Sequence, residues 1–167
     1  MTRAGASPAL VAERWLAFGA IVSLVALASA LVSQHRYGME PCPWCVLQRL
    51  IVLAIFVACG MGLAWRSARG RAIAATLALV LAASGIAAAL WQHFYAAASA
   101  SCNLTLADKI LNATTLPRLA PDVFEPRASC ADAAVSLFGI PYDFWSLAVF
   151  VVIGMISISL LAGGRRR

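Results

Sequence analysis

Charge is scarce in this sequence. Asp, Glu, Lys and Arg make up 12% of the residues and apolar residues 62%, whereas soluble domains carry roughly a quarter charged and about half apolar. A water-soluble fold of this length would have too few charged side chains to cover so much apolar surface. The composition therefore excludes an ordinary soluble domain and points to lipid as the solvent. No internal repeat is present, which sets aside a solenoid or array. Cysteine is limited as well: five residues allow at most two intramolecular disulfides and leave one thiol over. The net charge of +6 has the sign that nucleic acid attracts. The arginines, however, cluster beside apolar runs, a distribution that fits membrane topology and no nucleic-acid partner. Abundant Ala, Leu, Val and Arg lean towards a bacterial source.

What the sequence does contain is four apolar runs, at about residues 15–32, 46–65, 72–94 and 142–162. Each approaches the ~20 residues with which a helix crosses ~30 Å of hydrocarbon. None has a charge in its middle; Arg49 lies in the first turns of the second run and Asp143 at the mouth of the fourth. Backbone facing lipid must satisfy its own hydrogen bonds, so helices are expected and strands are not. The expected fold is all-α: one membrane domain over residues 1–167, a four-helix transmembrane bundle with a short loop at about 33–41. A long irregular loop at about 96–141 joins helices 3 and 4, and its Pro117, Pro121, Pro126 and Pro141 predict an extended course. Within it Leu104, Ala107, Ile110 and Leu111 form one face either of a short helix on the membrane or of a solvated helical turn.

Arg3, Arg14, Arg66, Arg69, Arg71, Arg165, Arg166 and Arg167 all fall on one side of four spans, whereas the basic residues opposite are diluted by carboxylates. The positive-inside rule then places both termini in the cytoplasm. Aromatic residues agree, with Trp15 and Trp65 at that interface and Trp44, Trp91, Tyr95, Tyr142 and Trp145 at the other. Ala28-Ser29-Ala30 resembles a signal-peptidase site, but the apolar run before it is longer than the ~7–15 residues of a signal peptide.

The chemistry lies with the cysteines on the non-cytoplasmic side. Cys102 and Cys130 are either a staple for a long loop or a redox pair. Cys42-Pro43-Trp44-Cys45 is a poor staple, because so small a loop restrains little chain entropy. Cys42 is placed as an N-cap and Pro43 as the first helical residue. Cys45 then falls in the first turn, where free amides and the helix dipole favour a thiolate. A zinc half-site completed by Cys102, Cys130 or His35 is the rival reading. Arg49, four residues after Cys45, shares its helix face and is placed to stabilise a thiolate or an anionic acceptor; the alternative is snorkelling to headgroups. His93 is placed either to hand protons to an acceptor or merely to bond a backbone carbonyl. Cys59, in mid-span, reads as an inert small hydrophobe.

Four spans, a Cys-x-x-Cys at the outer end of the second, an Arg four residues on and two cysteines in the second outer loop together resemble the DsbB family. The resemblance covers about Trp15 to Ala162. It implies a disulfide-generating oxidoreductase of the bacterial inner membrane that reoxidises a periplasmic DsbA-like thiol oxidase and reduces a quinone, ubiquinone or menaquinone. By that resemblance Cys102 is attacked by the thiol oxidase, Cys130 is its loop partner and exchanges with Cys42, and Cys45 faces the quinone with Arg49 and His93 beside it. Pro43-Trp44 departs from the apolar, proline-free pair familiar between these cysteines. Outside the resemblance, the other class that the cysteines suggest is a small soft-metal-ion carrier with thiolate ligands.

Overall fold

The computed structural model describes residues 7–97 and 105–165. Four long helices dominate: α1 (Pro8–Tyr37), α2 (Pro43–Ala64), α3 (Ala68–Trp91) and a last helix, α7 (Tyr142–Arg165). Each is long and apolar enough to cross a membrane, and the chain is a multi-pass membrane protein. Helix α1 runs past its apolar run at both ends because caps set those ends. Ser7 caps α1 at its start, and Gly38 ends it with φ 64°, its amide donating to Gln34 O while Met39 N donates to Ser33 O. That left-handed end suits glycine. Ala28-Ser29-Ala30 lies inside this continuous helix.

Helix α2 is the most buried span: α1 and α3 pack on it, and α7 packs chiefly on α3 and also on α1. Small residues allow the close approach, since lipid offers no hydrophobic drive between helices. Along α3, Ala74, Ala75, Ala78, Ala82, Gly85, Ala88 and Ala89 are buried. A Cβ built on Gly85 would fall 2.4 Å from the Phe150 ring of α7, and one on Gly62 of α2 2.6 Å from Ala74. Much of α1 faces outward, with Phe18, Ile21, Leu24 and Val25 exposed, as expected of a lipid-facing helix.

The segment between α3 and α7 differs in detail from an extended course. It contains α4 (Leu106–Ala113), α5 (Leu116–Leu119) and α6 (Pro121–Phe124). Pro117 and Pro121 sit in the first turns of α5 and α6, where a missing N–H breaks no helical bond. A Thr105–Asp108 capping box starts α4. Ala107 and Leu111 are buried, Leu111 against Val46 and Phe124, whereas Leu106 and Ile110 are exposed; Leu104 lies outside the described residues. The α4 helix is thus docked on the start of α2, with only part of its apolar face outward. Beyond α6, β1 (Ser136–Leu137) and β2 (Ile140–Pro141) form a two-rung antiparallel hairpin outside the apolar spans.

Candidate active site

The local sequence builds the start of α2 as a sulfur-capped helix end. Cys42 is the N-cap in extended backbone, Pro43 follows at N1, and Cys42 Sγ accepts from the Cys45 amide at 3.3 Å. The two sulfurs lie 2.8 Å apart, within reach of the ~2.05 Å bond of a disulfide.

Cys42 and Cys45 face different surroundings. Cys42 is fully buried and meets Cys130, because the chain around Cys130 is pinned to the residue before Cys42: Arg127 N and Ala128 N donate to Pro41 O at 2.9 and 3.3 Å. The Trp44 amide also donates to the Cys130 sulfur. Hydrogen bonding from Cys42 draws the Cys130 thiol below its ordinary range. Its counterpart Cys42 is pushed up, first by contact with Cys130, then with Cys45, then by burial. Of this couple, Cys130 is the one poised as thiolate.

Cys45 instead lines a cavity of about 1160 Å³. Val22 and Ala26 of α1, Val52 of α2 and Val149 and Phe150 of α7 supply its apolar wall, and Cys45, Gln48, Arg49, Gln92 and Asp143 its polar end. Exposed Ile21, Val25 and Trp145 also line it, so it reaches the lipid-facing surface between α1 and α7.

Arg49 is only 7% exposed and does not snorkel. Its guanidinium donates to Gln34 Oε1 at 2.6 Å, Val123 O at 3.1 Å and Ala30 O at 3.2 Å, which fixes a positive charge on the same wall as Cys45. Gln92, 3% exposed, is the hub that sequence reasoning missed. Its Nε2 donates to Cys45 Sγ at 3.3 Å and to Asp143 Oδ1 at 3.4 Å, and its Oε1 accepts from Gln48 Nε2 at 2.7 Å. The available signal was a polar amide next to His93 in a largely apolar run, a placement that marks functional sites. A single π-helical turn, Gln92–Ala96, carries Gln92 and His93; such turns recur at functional sites.

Among the described residues His93 is outside the cavity lining and bonds no backbone carbonyl. Its Nδ1–H donates to Asp143 Oδ2 at 2.9 Å; Asp143 is 6% exposed, lines the cavity and stands in the first turn of α7. Trp44 is a correction: in place of the interface it is buried, beside Trp91 with centroids 6.4 Å apart, and its indole N–H has no partner among the described residues. The first turn of α2 is packed against α4 and the Cys130 segment, which buries Trp44. Cys102 lies outside the described residues. Cys59 is buried against Gly19, as a packing residue. His35, a candidate zinc ligand, bonds Leu31 O at 2.9 Å, and no three His, Cys, Asp or Glu converge on a metal-sized site among the described residues.

A structural staple would need neither a second thiol behind it nor an open cavity in front. Both are here, and they put the chain among membrane-embedded thiol–disulfide oxidoreductases. The sequence profile described as "Disulfide bond formation protein DsbB" matches residues 12–160, and the chain belongs to the DsbB family, whose function is disulfide bond formation. It is 32% identical over 154 residues to Disulfide bond formation protein B of Burkholderia pseudomallei (strain 1106a), covering 89% of each chain. Similarity to Disulfide bond formation protein B 1 of Pseudomonas savastanoi pv. phaseolicola is 31% identity over 157 residues, 93% of this chain and 92% of the relative. With the Herminiimonas arsenicoxydans protein it is 33% over 138 residues, 81% and 86% of the two chains.

Proposed function

We propose that this chain is a protein-dithiol:quinone oxidoreductase that reoxidises a periplasmic DsbA-like thiol oxidase and passes the electrons through two cysteine pairs to a membrane quinone, ubiquinone or menaquinone. On this reading it spans the bacterial inner membrane with both termini cytoplasmic and Cys42, Cys45, Cys102 and Cys130 on the periplasmic side. The observation that carries the reading is the two-sided placement of one dithiol, with Cys42 sealed against Cys130 and Cys45 open to the cavity.

The cavity suits a quinone in size and polarity. Its volume of about 1160 Å³ exceeds the ~300–1,000 Å³ of ordinary small-molecule sites, enough for a ring and part of an isoprenoid tail. Apolar walls would hold the tail, and Arg49, Gln48, Gln92 and Asp143 would face the ring carbonyls. A quinone held there would supply a two-electron sink.

The chain's own residues do the rest. The Cys130 thiolate attacks Cys42 Sγ of a Cys42–Cys45 disulfide; a Cys42–Cys130 bond forms, the Cys42–Cys45 bond breaks, and Cys45 keeps the electron pair as thiolate. Gln92 Nε2–H, the free amides of the first turn of α2 and the Arg49 charge stabilise that anion. In a second exchange the Cys102 thiolate attacks Cys130 Sγ and Cys42 leaves as thiolate. Re-forming the Cys42–Cys45 bond from the two thiolates would then release two electrons to an acceptor held in the cavity, whose protons come from solvent. Asp143 and part-exposed His93 provide a proton path from water to the cavity wall. The step at Cys102 rests on the family resemblance.

A decisive experiment follows turnover of a short-chain quinone by protein in nanodiscs with a reduced thiol-oxidase partner. Cys45→Ser is expected to abolish quinone reduction while Cys102 still forms its mixed disulfide. Wild-type quinone reduction by that variant would remove Cys45 from the mechanism. The soft-metal-carrier alternative has no specific observation in its favour.

A further inference from the structure

We propose that the turn between β1 and β2, led by Phe138, inserts into the headgroup region of the bilayer on the Cys42 side and forms the lipid-side sill of the cavity mouth. The inference stands on the hairpin alone and does not depend on what the cavity binds.

Three observations carry it. Phe138 has φ 54° and Gly139 φ 77°, the pattern of a two-residue hairpin turn in which both central residues are left-handed. Asn-Gly or Gly-Gly is the usual choice there, and a bulky residue at positive φ is an outlier. A Phe kept in that backbone while 88% exposed has a reason to be at the tip other than the turn itself. Second, the hairpin folds back alongside α7. Trp145 Nε1–H donates to Leu137 O at 3.4 Å, and Trp145 stands one turn inside the span that begins at Tyr142. The tip therefore lies level with the first turn of a membrane helix. Third, the large apolar side chains of the hairpin and the first turn of α7 are left uncovered: Phe138, Ile140 and Trp145 are all exposed. Aromatic side chains at this depth match the interfacial belt of membrane proteins.

The position matters for access. Leu137 and Trp145 line the cavity opposite Ile21 and Val25 of α1, so a lipid-soluble molecule entering between α1 and α7 passes the turn. Insertion of Phe138 would hold that edge of the opening at a fixed depth.

The test uses the full chain in phosphatidylcholine nanodiscs, with trifluoromethyl-phenylalanine placed at position 138 and observed by fluorine NMR. Lipids carrying a nitroxide near the head of the acyl chain are expected to broaden the resonance severalfold more than a gadolinium chelate in the water. Stronger broadening by the aqueous chelate would overturn the proposal. So would a resonance that shifts and becomes shielded from both probes only when a reduced thiol-oxidase partner is added, since the tip would then be a protein-docking element.

Discussion

Gln92→Leu isolates the contribution of one hydrogen-bonding hub. The substitution nearly conserves shape and removes three bonds: to Cys45 Sγ at 3.3 Å, to Asp143 Oδ1 at 3.4 Å and from Gln48 Nε2 at 2.7 Å. Two separable losses follow. Gln48, itself buried, is left with an unpaired amide, which costs about 1–3 kcal/mol of stability. The Cys45 anion loses a donor, and a hydrogen bond to a charged group is worth about 1.5–3 kcal/mol. At 1.36 kcal/mol per decade, that corresponds to electron delivery slower by about ten- to a hundred-fold. Asp143 keeps its bond from His93, so its position is the smaller concern. Stopped-flow measurement of quinone absorbance in nanodiscs reads the rate, and denaturant titration of the same sample reads the stability. The double variant Gln48→Leu/Gln92→Leu separates the two effects. Replacing both partners by apolar groups of similar shape is nearly neutral for stability, so folding should recover while the rate stays low. Recovery of the rate along with stability would refute the role given to Gln92, as would a single variant whose rate is unchanged.

In the reduced protein with Cys102→Ser, alkylation of Cys130 should titrate below the ~8.5 of a free thiol, because Cys42 donates a hydrogen bond to it. The reactive thiolate is then fully present above that lowered value and is lost as pH falls through it; a titration at or above the free-thiol value would contradict this. Gly85→Ala places a methyl group 2.4 Å from the Phe150 ring, an overpacking that should destabilise the bundle by about 1–3 kcal/mol in denaturant titration. A neutral result would mean that α3 and α7 are not in contact there.

The four spans are legible in the sequence because lipid leaves an uncharged apolar run few structures other than a helix. Their ends are less legible. The apolar run of α1 fades near Val32, yet the helix continues to Tyr37 because Gly38, not the loss of hydrophobicity, terminates it. The start of α2 could be read in advance, since Cys42 and Pro43 are a capping signal, and the four-residue step from Cys45 to Arg49 puts these two side chains on one cavity wall. What escaped is the polar frame behind them. Gln34, Gln48 and Gln92 come from three different helices and carry no shared spacing, so only the folded bundle brings them to Arg49 and Cys45. Trp44 escaped for a related reason: interfacial preference is a rule for uncovered helix ends, and this end is covered. The meeting of Cys130 with Cys42 depends on backbone bonds to Pro41 O, to which spacing gives no clue.

The central claim is that Cys42 stands between Cys130 and Cys45 as a switch point. It is tested most directly in a variant carrying Cys45→Ser and Cys102→Ser, oxidised mildly in the membrane, digested and mapped by mass spectrometry. A Cys42–Cys130 disulfide should form nearly quantitatively. If Cys42 and Cys130 instead both remain open to alkylation, or Cys42 is recovered bonded elsewhere, the loop and the helix start do not exchange and the account fails.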